Sequence, residues 1–453
     1  MKRKRSEVKA ELLTKAELLI DELLDWTDET KAPELTQIED IVLKLRKELG
    51  EQMALAVIAE QAATRPSPGP KCASCQREMH YKDVKANTVE SRVGALPLDR
   101  AYYYCQTCHT GLFPLDSQLR LWDQPWSEQL AKEAVWLSGL VTFEYAADIL
   151  TRVGQSPIAA SSVWQRSAKW GEQLKAVEAQ QRAVANALPA RSEVVPGEVS
   201  TAQVLGVAMD GAKVHVRQEG WKELKTGCVF EVAVRPTLDK TSGEMMDLAH
   251  ATNNSYVAHL GGTRIFGQQV WSEAKRRDWT QAHDSIALGD GAPWIWNLVS
   301  EHFSDSRQAV DWYHAKSHLS NTANVLHGEG SAEAKRWLKP HETLLFQGHA
   351  QRIADELQLA AADATSGADE LRREAGYFHD NQRRMQYMEL REDGFPIGSG
   401  MVETGCKQFR ARFTGSGMRW SRPGVERLLP VRASILSHRF DDAWKAAYFS
   451  PPN

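Results

Sequence analysis

The chain is predicted to be an α+β protein of several domains. A mixed-sheet core carrying a helical insertion follows helical segments and a small cysteine-bearing module. Three observations predict this. The 453 residues exceed what one ordinary core organises. The hydrophobic period is helical in the early segments and switches to two after residue 203. Four of the six cysteines form two Cys-x-x-Cys pairs. Hydrophobic residues at 42% and charged residues at 25% describe a folded chain rather than a disordered one. The longest apolar run, "MALAVIA" at 53–59, is far short of the roughly 20 residues of a bilayer span, so no membrane partner is expected. The opening "MKRKRSEVKAE" carries charge with no apolar segment behind it, and paired cysteines suit metal in a reducing compartment. A cytoplasmic location is the expectation.

Residues 1–63 read as an N-terminal helical region. Leu12, Ala16, Leu19, Leu23 and Trp26 share one face, and Ile38, Ile41, Leu45 and Leu49 another. "TRPSPGPK", 64–71, ends it. Residues 64–120 hold Cys72 and Cys75, then Cys105 and Cys108, around the alternating "NTVESRVGALPLDRAYYYC". Two such knuckles bracketing β-like sequence form the pattern of a zinc ribbon, in which four thiolates close the tetrahedral shell of a structural Zn²⁺. Gln76 follows the first knuckle, where such ribbons favour glycine.

Residues 121–186 are helical again: "SEQLAKEAVWLSGL", "TFEYAADILTRV" and, after "GQSP", "ASSVWQRSAKWGEQL". A helix-turn-helix here would set Ser161, Ser162, Gln165, Arg166 and Lys169 on a DNA-reading face, though such triplets are also ordinary packing units. Residues 187–203 lose periodicity and read as a linker.

From residue 204 the pattern is strand-like. "VLGVAMDGAKVHVR" and "WKELKTGCVFEVAV" suggest an antiparallel pair, "YVAHLG" a third strand, and "FGQQVWSEAKRRD" a helix. Asp210 interrupts the first run and is followed by Gly211. Aspartate is depleted in strands and costly to bury unpaired. Asp290, between Gly289 and Gly291, follows the next strand, and Asp311 ends another before a helix near His314. Carboxylates at the ends of neighbouring strands, with glycines that admit another backbone, suit a metal and phosphate site. Three strands, helix, strand, helix, strand, helix is the order of the ribonuclease H-like fold, here over 204–327. The Ala-, Glu-, Gln- and Arg-rich stretch 328–392 is an insertion, and 393–453 returns to the core. There Gly398 and Gly400 start a helix with Glu403 in its first turn and Lys407 and Arg410 further along the same face. The net charge of −4 counts against a nucleic-acid partner, yet Val402–Arg439 carries eight Lys/Arg against two Glu.

"MDGAKVHVR", "ALGDGAPWIWNL", "VDWYHAKSHL" and "IGSGMVETGCKQFRARFTGSGMRWSRPGVERLLPVRA" resemble the motifs of bacterial insertion-sequence DDE transposases. The likeness is greatest to the ISKra-four family, with Mutator-like transposases as more distant relatives. This resemblance implies Asp210, Asp290 and Glu403 as catalytic residues holding two Mg²⁺ (or Mn²⁺) ions. Asp311 and His314 match the Asp-x-x-His signature beside them. It further implies cleavage and strand transfer on double-stranded DNA, both element ends and target, by a chain that is a homo-oligomer when bound to DNA. Such chemistry needs no covalent protein nucleophile, so Cys406 is expected to be a packing residue. Lys407, Arg410, Arg412, Arg419, Trp420 and Arg422, with Arg166 and Lys169, are the candidate DNA contacts. A nuclease of the same fold without strand transfer, or a non-catalytic DNA-binding regulator derived from a transposase, are the competing expectations.

Overall fold

The computed structural model describes residues 3–187, 203–238, 243–415 and 417–449. The expected linker falls almost wholly outside them. The chain divides into two compact units, Met1–Ser167 and Ala168–Asn453. Among the described residues, no helix is long and apolar enough to cross a membrane.

In the first unit, α1 (Arg5–Glu29) and α2 (Leu35–Ala59) form an antiparallel hairpin. Its open end is tied by Arg3 to Glu60 at 2.5 Å, and nearer the turn Lys44 meets Glu22 at 2.6 Å. The start of α2 follows Pro33: Glu34 caps it, its own N–H donating to Gln37 Oε1 at 3.0 Å. A three-stranded antiparallel sheet follows, β1 (His80–Ser91), β2 (Gly94–Cys105) and β3 (Thr110–Leu112). Val89, Leu96 and Leu98 of this sheet bury with Leu121 against Ala54, Leu55 and Ile58 at the end of α2. After the short α3 (Pro114–Gln118) come α4 (Glu128–Leu140), α5 (Phe143–Arg152) and α6 (Ala160–Ala187). Ser127 and Thr142 cap α4 and α5 through their side-chain oxygens, the preference of hydroxyl residues for that position. The unit boundary falls inside α6.

The second unit is built on a mixed five-stranded sheet. Its elements run β4 (Val204–Val216), β5 (Gly220–Leu238), β6 (Met245–Leu260), α7 (Thr263–Arg276), β7 (Asp284–Gly289), α8 (Pro293–His302), β8 (Arg307–Val310) and α9 (Trp312–His327). The spatial order is β6-β5-β4-β7-β8. β4, β5 and β6 are antiparallel neighbours, whereas β7 and β8 join parallel to β4. The near-continuous apolar runs of β4 and β7 are those of central strands covered on both faces. β6 begins at Met245, eleven residues before the expected strand, and pairs with β5 along its whole length except at a bulge near Val229 and Glu231.

The stretch expected as a helical insertion forms α10 (Ala332–Phe346), α11 (Ala350–Asp363), α12 (Ala368–Asn381) and α13 (Tyr387–Glu392). The chain then supplies α14 (Gly400–Phe413), α15 (Arg422–Leu436) and α16 (Phe440–Phe449). α14 packs on β4 and β5, and α15 on β6. Gly405 lets α14 also approach β6: a Cβ there would stand 2.6 Å from the Tyr256 ring.

Candidate active site

The parallel ladder of β4 and β7 positions two carboxylates. Val204 pairs with Asp284 and Ala208 with Leu288, a constant offset of 80 residues. Asp210 is therefore level with Asp290 just past the last pair, on strands roughly 4.8 Å apart. Burial raises the Asp210 pKa, and the Asp290 charge adds to the rise. The Gly211 N–H, the Cys406 thiol and the His314 charge oppose it. Gly211 N donates to Asp210 Oδ1 at 2.6 Å. Cys406, on α14 one turn beyond Glu403, has its own pKa pushed up to about 12 by burial first and by the Asp210 charge next, so it stands there as a thiol. Cys406 is buried in the α14 packing face.

Asp290 caps the following turn, its Oδ1 accepting from Ala292 N at 2.8 Å. Gly291 turns with φ +103°, and a Cβ there would meet the Tyr377 ring at 2.7 Å. Glu403 lies in the first turn of α14, its side chain half-exposed and 3.8 Å from Lys407 Nζ. Through Cys406 the same helix packs beside Asp210. The carboxylates are not gathered tightly. Among the described residues, only the cysteine quartet has three or more acidic, His or Cys ligand atoms all within 4.8 Å of one another.

Asp311 is buried and both of its oxygens are engaged. Oδ1 accepts from His314 N at 2.6 Å, capping α9, and Oδ2 accepts from Ser399 N at 2.5 Å. Its own N–H donates to Gly289 O at 2.8 Å, and Trp312 N donates to Ile397 O at 2.9 Å. Asp311 therefore ties the end of β7 to the loop that launches α14. His314 is exposed, with its charge felt at Asp210.

Sequence reasoning missed three side chains here. Tyr377 of α12 donates its hydroxyl to Asp290 O at 3.2 Å and stacks on His318 at 3.6 Å. His318 Nδ1 meets the buried Glu374 at 2.5 Å. Burial, with the charges of Asp290, Asp311 and Glu374, drives the Tyr377 pKa far up, so the phenol stays protonated and donating. The spacing of His314 and His318 in "HAKSHL" was the only local signal, because the partners arrive from the insertion.

The nucleic-acid candidates separate into two groups. Lys407, Arg410, Arg419 and Lys169 are exposed. Arg412 and Trp420 are not, which corrects the expectation for both. Arg412 is 2% exposed with its guanidinium 5.0 Å from the Trp420 ring centre, and Trp420 Nε1 donates to Phe413 O at 3.0 Å. Arg422 is held by Glu219 through two nitrogens, at 2.9 and 2.5 Å. Arg166 pairs with the buried Asp123 at 3.1 Å and lies over Trp126. Arg412, Trp420 and Arg166 thus serve the packing of their own units, whereas Arg422, its side chain 35% exposed, is ion-paired at the surface.

Cys72, Cys75, Cys105 and Cys108 form the one metal-ready group among the described residues. Gln76 N donates to Cys72 O at 2.9 Å and Cys72 N to Arg77 O at 2.8 Å, a tight knuckle. Gln76 and His109, each directly after a knuckle, take φ of +58° and +54°. The turn needs the left-handed region whichever residue occupies it, and Gln76 adopts it without being glycine. Backbone N–H groups of Cys75 and Ser74 lower the Cys72 pKa to about 6, while the neighbouring sulfurs, Cys75 first, raise Cys108 to about 12. Four sulfurs in this arrangement fit a metal such as zinc.

Comparison with known protein families finds none that matches this chain, and comparison with curated proteins finds no match either.

Proposed function

We propose that the protein is a DNA transposase of the DDE type, with Asp210, Asp290 and Glu403 as the metal-binding carboxylates on a ribonuclease H-like core. The observation that carries this reading is that Asp210 of β4 is level with Asp290, the residue after the end of the parallel neighbour β7, while α14, which carries Glu403, packs on β4 and β5. Strand order and sense, three antiparallel strands followed by two parallel ones, fit that core.

Carboxylates suit Mg²⁺ or Mn²⁺, which keep some water and accept phosphate oxygens. Two such ions supply a nucleophilic oxygen and stabilise the leaving one. The chain's own residues hold and orient: Asp311 fixes the α14 start, Tyr377 braces the Asp290 loop, and Lys407 and Arg410 offer charge to the DNA backbone. The ribbon fits structural Zn²⁺ and the recognition of defined DNA ends.

A plasmid carrying the DNA that flanks this gene, incubated with the protein and Mg²⁺, tests the reading. Nicking at fixed flanking positions followed by joining to a second plasmid is expected. Cleavage and joining should be lost in Glu403→Gln while DNA-end binding remains. Cutting without joining would assign a nuclease instead, and full activity of Glu403→Gln would remove the triad.

A further inference from the structure

We propose that the α1–α2 hairpin is a self-association element that pairs head to tail with the hairpin of a second copy of this chain. α1 spans 25 residues and buries none of them. One edge is covered by α2, through positions such as Leu12, Leu19 and Leu23, none of which is classed as exposed. Beside that edge lies a second apolar stripe. Leu13, Ile20 and Leu24 stand at i, i+7 and i+11 and are 51%, 54% and 56% exposed. α2 carries a matching stripe of Ile38, Val42 and Met53, also exposed.

Each stripe is displaced in the same rotational sense from the edge its helix turns to the other. In an antiparallel pair that places both stripes on one side of the hairpin. The result is a continuous apolar strip beside the α1–α2 seam, left uncovered within this unit. A helix pair of this length with a second bare face is marginal alone and gains stability by closing a four-helix bundle.

Charge selects the occupant and its direction. Residues 17–40, around the hairpin turn, hold nine carboxylates and one cation, Lys31. Residues 3–16 and 41–60, the two helical arms of the open end, hold eight cations and five carboxylates, so that end is net basic. Two copies packed in the same direction would bring turn against turn, acid against acid. Head-to-tail packing lays the acidic turn of each hairpin on the basic open end of the other, in the self-complementary manner of a two-fold interface. A sense of α1 against α1 that aligns Leu13 with Leu24 of the other copy also aligns Lys9 with Asp28.

Sedimentation equilibrium of the full chain is expected to give twice the 50.7 kDa chain mass. Ile20→Glu/Leu24→Glu should halve that mass while circular dichroism and metal content stay unchanged. For direction, the exposed-site double variant Leu13→Cys/Leu24→Cys should form an intermolecular disulfide under mild oxidation, and Leu13→Cys alone should not. A wild-type monomer would overturn the proposal and leave the strip to a different partner. A dimer that survives Ile20→Glu/Leu24→Glu would move the interface elsewhere. Efficient cross-linking of Leu13→Cys alone would overturn the head-to-tail sense. None of these outcomes depends on transposase activity.

Discussion

Asp311 Oδ2 accepts the backbone N–H of Ser399 at 2.5 Å, while the other oxygen of the same carboxylate caps α9. One buried side chain thus joins the end of the parallel strands to the first turn of the helix that carries Glu403. This makes Asp311 a positioning residue, since each of its oxygens holds the backbone N–H of a helix start.

Asp311→Ala should therefore destabilise the core and mis-set Glu403. Loss of a helix cap is worth about 1 kcal/mol, and loss of a buried charge-assisted hydrogen bond about 1.5–3 kcal/mol. Urea unfolding should give a loss within the sum of those ranges. Ser399→Pro would remove the same donor from the other side and should impair activity in the same way. Normal stability in Asp311→Ala would remove this positioning role.

The order of the second unit was legible because the hydrophobic period changes at β4 and because Asp290-Gly291 follows the end of β7. Asp210-Gly211, which reads as a strand end in the sequence, lies inside β4, which runs on to Val216 in its pairing with β5. The arm of β6 from Met245 to Thr252 was not legible, since "MMDLAHAT" lacks alternation and its face is only partly covered. The inward turn of Arg412 was visible in principle. Val402, Cys406, Phe409 and Phe413 mark the buried stripe of α14 at i, i+4, i+7 and i+11, and Arg412 borders that stripe. Counting cations along the segment hid this, because a sum of charge ignores the helix face. Tyr377 and Glu374 lay beyond sequence reasoning altogether: only the packing of α12 on α9 brings them to Asp290.

The basic face then reduces to fewer residues. Lys407→Ala and Arg410→Ala should each weaken DNA binding on unrelated sequences alike. Each should flatten the dependence of log K on log salt by about one unit for every phosphate it no longer neutralises. Arg412→Ala should instead lower stability, since it strips a buried guanidinium from the Trp420 face. Fluorescence anisotropy over a salt series, paired with thermal melts, separates the two classes. A salt-slope change in a fully folded Arg412→Ala would contradict its interior placement.

The cysteine quartet should bind about one zinc per chain, measured by elemental analysis of purified protein. Cys72→Ser or Cys105→Ser should release it and loosen the β1–β2–β3 sheet. The second unit, with its own core, should keep its melting transition. Zinc-free wild-type protein with unchanged stability would leave the four sulfurs as ordinary thiols.

Asp210 provides a test that separates folding from chemistry. Its pKa is raised in the folded state, by burial first and by Asp290 after the opposing contacts, so the ionised form is the unfavourable one. For a raised pKa, the favourable contribution is fully present below the unfolded value, near 3.9, and is lost as pH rises through the folded value. Without divalent ions, Asp210→Asn should therefore melt above wild type at neutral pH, and the gap should shrink as pH falls toward 4. Mg²⁺ or Mn²⁺ should raise the wild-type melting temperature by binding the folded state and leave the variant nearly unmoved. Cleavage by the variant should fall by roughly two to four orders of magnitude, the scale for groups that act as a unit. Adding Glu403→Gln to Asp210→Asn should then cost little more. An ordinary buried aspartate predicts the stability gain alone. A variant more stable than wild type that still responds to Mg²⁺ and still cuts DNA would remove Asp210 from the chemistry, leaving only the electrostatic strain of two carboxylates at one end of a sheet.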